Sequence, residues 1–466
     1  MTAAPKPILP WMVWSVAAAA YVVAIINRSS LAALGPATQE HFGIDATVLS
    51  MFAVIQIVVY AALQIPVGVL LDRLGVTTMI LSGGVLMLAG QAVMATVDDV
   101  WLAILARVLV GAGDACTFIS VIRVLPEWFA LRQLPLVTQA TGLIGQAGQL
   151  ISVVPLAFVV NTLGWTTGFM GVAAVGFLVT LVGAMVLRDR PGQGTAIERM
   201  TGRLGRISRT ARSLAGNEST AELRAVAPPA TEMIGIVEGA APKPALGFWK
   251  RARRLLSLPG VRLAYWIHFT APFTGNVFLL LWGTPFLTGG IGMSRPAASG
   301  LLSLAVVAMM ITGMVLGPVT SRFVERRVWV VVGVIVAIAL VWIAVLVWPG
   351  SPPMWLIVAM VLIMPLGGPT SMIAFEVSRS HAPRSFAGLA TGLVNTAGFT
   401  STLIIILLIG FLLDLQGAGS PENYSLGAFK VAFAVQLPLL ALGLAMILIE
   451  QRRTWHWMQR HGRRLR

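Results

Sequence analysis

Charge is what this chain of 466 residues has least of: 11% are Asp, Glu, Lys or Arg, against 57% hydrophobic. A soluble domain clothes its surface with about a quarter charged residues, so the composition excludes a soluble fold and places the chain in a bilayer. Cysteine is almost missing. A single Cys116 excludes an intramolecular disulfide and a thiolate metal cluster. The five histidines are scattered, with no His-Glu-x-x-His or related spacing, so no metal site and no cofactor is expected. Long polar stretches are also lacking, except for one near the middle, which excludes a soluble enzyme hung on a single anchor.

What is there instead is a succession of apolar runs. Each is long enough, at about 20 residues, to cross the roughly 30 Å of hydrocarbon. Six fall near residues 11–35, 48–71, 76–96, 99–124, 134–161 and 166–187, and six more near 259–288, 297–318, 328–348, 353–377, 385–413 and 429–450. The expected fold is an all-α polytopic membrane protein of 12 transmembrane helices. Lys6 precedes the first run with no Ala-x-Ala cleavage pattern after it, so that run reads as an uncleaved span.

The net charge of +15 suggests a nucleic-acid binder until the cations are located. With the N-terminus in the cytoplasm, the outer loops hold only Arg295 and Lys430. Arg28 and Arg107 lie inside spans, and the remainder of the 33 Lys and Arg are cytoplasmic. Glu40, Asp45, Asp98, Asp99, Asp414 and Glu422 lie outside. This is the positive-inside pattern, giving N-in and C-in with an even number of spans, and it leaves no call for a nucleic-acid partner. Arg outnumbers Lys in a chain rich in Ala, Gly and Val, which points to a prokaryotic cytoplasmic (inner) membrane.

The chain divides into an N-terminal six-helix bundle over 1–187, a cytoplasmic basic linker over 188–258, a C-terminal six-helix bundle over 259–450 and a basic cytoplasmic tail over 451–466. The linker is too poor in bulky apolar residues to build a core. Within it Arg199, Arg203, Arg206 and Arg209 recur at helical spacing, and FWKRARRLL, Phe248 to Leu256, mixes aromatics with cations just before the seventh span. Both suit helices lying on an anionic cytoplasmic leaflet; a solvated basic loop is the other reading of the first. The halves repeat one another. ATGLIGQAG, Ala140 to Gly148, matches ATGLVNTAG, Ala390 to Gly398, at six of nine positions with an offset of 250. GVLLDR after span two and GPVTSR after span eight match at an offset of 249. Duplicated halves that meet at a midplane site are a transporter architecture.

An ionised side chain at the bilayer centre costs roughly 3 kcal/mol on insertion scales, so charges inside spans face a cavity or a partner. Asp114 alone among the acids lies deep, and Arg107 precedes it by seven residues, two turns up the same helix face. Arg28 sits toward the outer half of the first span. Guanidinium pairs with carboxylate bidentately, so Arg28 is the candidate for an anionic substrate and Asp114, with Arg107, for the coupled proton. A structural ion pair between Arg28 and Asp114 is the competing reading. Tyr21, Tyr60, Gln149, His268, Asn276 and Asn395 are candidate cavity-lining groups, although interior polar groups of this kind serve more often as interhelical hydrogen bonds. Gly111 to Asp114 also spells the local pattern of an intramembrane aspartyl protease, but that chemistry needs a second membrane carboxylate and none is present, so no enzyme is expected.

The loop GVLLDRLG, with Gly68, Asp72, Arg73 and Gly75, resembles the first motif of the major facilitator superfamily. Arg107, Gly111 and Gly113 in span four, and Glu376, Pro383, Arg384 and Gly388 around the turn between spans ten and eleven, are similar to further stretches of it. The resemblance covers essentially the whole chain. It implies two pseudo-symmetric bundles that alternate access, with Gly68, Asp72, Arg73, Gly75, Glu376 and Arg384 as gating residues. INRSSLAALGPATQEHFGI and RVLVGAGDACTF followed by RVLPEWF resemble the anion:cation symporter branch, which includes sugar-acid:proton symporters; Asn27 stands where that branch often has Asp, and Asp114 where it often has Glu. The expected function is proton-coupled transport of a small organic, anionic solute by a monomer. Proton-antiport efflux of drugs or metabolites is the alternative.

Overall fold

A computed structural model describes residues 8–44, 46–200, 248–418 and 423–461. Arg203, Arg206 and Arg209, expected on a surface helix, lie outside the described residues, as do Lys6, Asp45, Glu422 and the last five residues of the tail. What is described is helical almost throughout, because in hydrocarbon every backbone N–H and C=O must be satisfied within its own segment. The long helices are α1 (Leu9–Ala33), α2 (Ala46–Leu74), α3 (Val76–Thr96), α4 (Val100–Trp128), α5 (Leu134–Ile151, continued by Ala157–Leu163) and α6 (Trp165–Val186). They are followed by α7 (Pro259–Thr270 and the helical pieces up to residue 290), α8 (Arg295–Arg322), α9 (Arg327–Val347), α10 (Met354–Ile363 through Ile373–His381), α11 (Ala387–Leu415) and α12 (Leu426–Ala434 with Gln436–Arg460). Short helices at Gly35–Phe42, Ala196–Met200 and Phe248–Leu256 stand between them.

Among the described residues, 10 helices are long and apolar enough to cross a membrane. The expected fifth and seventh spans are not among these, and the reason is local. Pro155 lies in a π-turn, Ser152–Leu156, that splits α5. In α7, Pro272 follows the first piece, and π-turns at Phe278–Trp282 and Phe286–Gly290 divide the rest. A proline removes one intrahelical hydrogen bond and clashes with the preceding turn, so the backbone adjusts by widening. Apolar runs in sequence therefore overstate helix continuity at these two places. The helix ends are set by ordinary signals: Asp99 accepts from Leu102 N at 2.9 Å to start α4, and Pro10, Pro259 and Pro296 sit in first turns where their missing N–H costs nothing. Several helices outrun the apolar runs, among them α8 to Arg322 and α10 to His381. α4 continues to Trp128 and α12 to Arg460, so residues 451–460 of the expected tail are a helical extension.

Most packing lies within 9–186 and within 259–460. α3 lies against α4 and α6, α1 against α4, α5 and α6, while α7 lies against α10, α11 and α12. Two seams join the two stretches, α2 along α11 and α5 along α8. The outside is apolar, with Leu178, Leu340, Leu407 and Phe411 exposed, and the polar groups are inside: Gln56, Gln64, Gln91, Arg107, Asp114, His268 and Asn395 are all buried. That inversion suits lipid as solvent, where the polar groups can find partners only in the protein. The molecule is an integral, multi-pass membrane protein.

Candidate functional site

The centre of the molecule holds an ion pair. Arg28, in the last third of α1, donates from Nε to Asp114 Oδ2 at 2.6 Å and from Nη2 to Oδ1 at 2.9 Å. The fork of the guanidinium thus matches both carboxylate oxygens. Asp114, midway along α4, has no exposed surface, whereas the Arg28 side chain keeps 24% of its own. The pair is accessible from the arginine side. The Arg28 guanidinium also lies over the Tyr60 ring of α2, 4.3 Å from its centroid, and 5.8 Å from that of Phe399 on α11. An aromatic face attracts a cation most where water is excluded, so the two rings hold the guanidinium without neutralising it.

From Tyr60 the network crosses to the other half of the chain. Asn395 of α11 donates to Tyr60 Oη at 3.0 Å and to Gln64 Oε1 at 2.7 Å. The Asn395 side chain also approaches the His268 ring of α7, whose Nδ1 lies 3.3 Å from Ser371 O and which meets the Phe375 ring edge-to-face at 4.8 Å between centroids. Tyr21, buried against Phe118, lies within electrostatic range of both Arg28 and Asp114. Five of the expected residues are therefore gathered around the pair: Tyr21, Tyr60, His268, Asn395 and Arg28 itself.

Three others stand apart. Asn276 donates to Thr402 Oγ1 at 3.3 Å within the α7–α11 packing, and Gln149 is half-buried on α5. Arg107, fully buried, turns away from Asp114: its Nη2 donates to Gln91 Oε1 at 3.1 Å and its Nη1 to Asn27 O and Ser30 Oγ, both at 3.4 Å. It ties α4 to α1 and α3, one residue from Arg28. Helical spacing put Arg107 and Asp114 on one face but says nothing of how a six-atom side chain bends.

Of the expected gating residues, Gly68 and Asp72 lie at one end of the α2–α11 seam. Asp72 Oδ1 accepts from Gly388 N at 2.7 Å and Oδ2 from Leu389 N at 3.0 Å, so a carboxylate from α2 caps the N-terminus of α11. Gly68 allows the approach: a Cβ there would stand 2.7 Å from Gly388 O. Gly75 adopts φ +84° at the start of α3, where Asp189 accepts from Thr77 N at 2.7 Å. Arg73 and Arg384 are exposed at the same end, and the nearly buried Glu376 faces Arg327 at 3.5 Å.

Sequence reasoning missed several neighbours. Arg379, one turn beyond Glu376 on α10, donates to Thr138 Oγ1 of α5 at 3.2 Å. Glu127 bridges Arg123 at 2.9 Å and Arg190 at 3.4 Å. Phe399 carries no polar atom, so only its position four residues past Asn395, one turn on the same face, could have drawn notice. The hydrogen bonds described between residues before 190 and residues after 248, which include Gln139 to Pro369 O at 3.0 Å, run from the Asp72 end to the middle. A groove of about 640 Å³ opens between α1, α5 and α6, but it is lined by apolar residues such as Trp14, Ile151 and Val175 and does not include the ion pair.

A polytopic helical protein whose deep, fully buried aspartate is paired with an arginine beside the seam of two helix sets has the make-up of a membrane transport protein. The family description of the Major Facilitator Superfamily matches residues 17–405, and the chain belongs to that family. It is 25% identical over 171 residues to the uncharacterized transporter YybO of Bacillus subtilis (strain 168), covering 37% of this chain and 39% of that protein. The chain thus aligns with about two fifths of that relative's length. With the probable galactarate/D-glucarate transporter GudP of the same organism it shares 22% identity over 468 residues, 94% of each chain. The fold is that of the superfamily transporter FucP, solved in the outward conformation: TM-score 0.62 at 14% identity, over 95% of this chain and 98% of that one.

Proposed function

We propose that this protein is a secondary active transporter that carries a small organic anion of the sugar-acid class together with protons. It has twelve spans in two pseudo-symmetric six-helix bundles, 1–187 and 259–450, with both termini and the 188–258 linker in the cytoplasm, and works as a monomer. The bidentate pair between Arg28 and the wholly buried Asp114 carries the reading. A substrate carboxylate competes with Asp114 for the same guanidinium fork. Once displaced, Asp114 has no cationic partner, and burial favours its neutral form, so substrate binding and proton uptake become one event. Asn395, Tyr60 and His268 offer the hydroxyls of a sugar acid donors and acceptors on the far wall. The similarity to GudP along nearly the whole chain supports a sugar-acid substrate. The crossing bonds at the Asp72 end support a reading of this conformation as closed there, and rocking of one bundle against the other exposes Arg28 to the cytoplasm.

Proteoliposomes test this directly. An acid exterior should drive uphill uptake of galactarate or glucarate, and Asp114→Asn should abolish accumulation while preserving exchange of labelled for unlabelled substrate. Undiminished uphill uptake by Asp114→Asn would remove Asp114 from coupling. Proton-driven extrusion of cationic drugs with no sugar-acid uptake would establish efflux instead.

A further inference from the structure

The short helix Phe248–Leu256 enters α7 within three residues, so it lies at the membrane surface, and it is strongly two-sided. Its inner face holds Ala252 and the fully buried Leu255. Leu255 shares an apolar cluster with Val261 of α7 and with Leu389, Ala390 and Leu393 of α11, and Ile65 and Val69 of α2 pack on that cluster. These residues flank the point where Asp72 caps α11. Arg251 reinforces the position: its guanidinium lies 5.7 Å from the Phe386 ring centroid, and its charge acts on the Asp72 carboxylate. The helix therefore rests on the seam between the two halves of the chain. On its outer face Lys250, Arg253 and Arg254 are exposed, beside the exposed Trp249 and Leu256.

We propose that this helix is a lipid-reading strut: anionic phospholipid headgroups bind Lys250, Arg253 and Arg254 and hold its inner face on the Asp72–α11 latch, favouring the conformation in which that end is closed. Three cations bordered by an aromatic and an aliphatic residue match a negatively charged headgroup layer above acyl chains, each basic residue near such a surface adding attraction. A ligand that binds only the docked state shifts the population toward it. This extends the transport reading to its regulation and rests on it for the meaning of the closed end, but its test needs no substrate.

Spin labels on Leu74→Cys and Ser385→Cys, both exposed at the latch end, report its opening by distance measurement in a Cys116→Ala background. The full chain is placed in nanodiscs of phosphatidylglycerol or of phosphatidylcholine, which present the same lipid on both faces and so remove any dependence on orientation. The short-distance population should be larger in phosphatidylglycerol. It should fall to the phosphatidylcholine level in K250Q/R253Q/R254Q, and remain in the control R452Q/R453Q/R460Q on the extension of α12. Equal distributions in the two lipids, or loss of the lipid effect in the control alone, overturns the proposal. A lipid effect in a protein that carries no sugar acid would leave the strut standing and remove the substrate reading.

Discussion

At the scale of single residues, Asp114 is decided by its partner. A carboxylate with no exposed surface is tolerated because Arg28 meets both of its oxygens, and removing one member of such a pair leaves an uncompensated buried charge, a loss of about 3–5 kcal/mol in comparable cases. Arg28→Leu should therefore lower the thermal midpoint, and Arg28→Leu/Asp114→Leu should recover part of the loss. Additive losses in that double-mutant cycle would mean the two groups do not interact. An orphaned buried acid is tolerable only when neutral, so the Arg28→Leu defect should deepen as pH rises. A midpoint difference independent of pH would contradict that. Arg28→Lys keeps the charge but not the fork, and it should raise the apparent KM for a dicarboxylate at least about tenfold, the equivalent of one lost charge-assisted hydrogen bond.

At the scale of elements, the α2–α11 seam depends on missing side chains and on one cap. A Cβ on Gly392 would stand 2.4 Å from Gln64 O, and one on Gly388 would stand 2.6 Å from Gly68 O. Both contacts are with backbone, which cannot rotate away. Gly392→Val should push the helices apart at the level of Asn395, loosening the bonds to Tyr60 and Gln64. An engineered disulfide across the seam should then form more slowly than in the parent; an unchanged rate would show that the helices adjust without parting. Asp72→Ala removes the acceptor for two N–H groups at the start of α11, worth about 1 kcal/mol. It should enrich the open latch severalfold in the spin-label measurement, and Asp72→Asn should do so less, because the amide oxygen still accepts one bond.

At the scale of the whole molecule, two seams join two sets of helices around a charged centre, and the described crossing bonds gather toward the Asp72 end. If the bundles rock as bodies, distances at the two ends should change in opposite senses when substrate and protons are added; movement at one end alone would argue for a local gate. Much of this architecture was legible beforehand. Apolar run length located most of the helices, because hydrocarbon thickness admits few alternatives. The singular depth of Asp114 marked it out, because an acid in hydrocarbon demands a partner wherever the chain bends. Sequence did not show that α5 and α7 are broken into pieces, since a proline's effect depends on whether neighbours can satisfy the freed carbonyl. Nor did it decide between the proton role and the ion pair for Arg28 and Asp114, show that Arg107 turns to Gln91 and Asn27, or show that Phe399 and Asn395 come from more than 330 residues away to face Arg28 and Tyr60. Composition and periodicity record what each residue needs from its surroundings. Only the packed structure decides which distant group supplies it, because a flexible arginine has several partners within reach and the helix crossings choose among them.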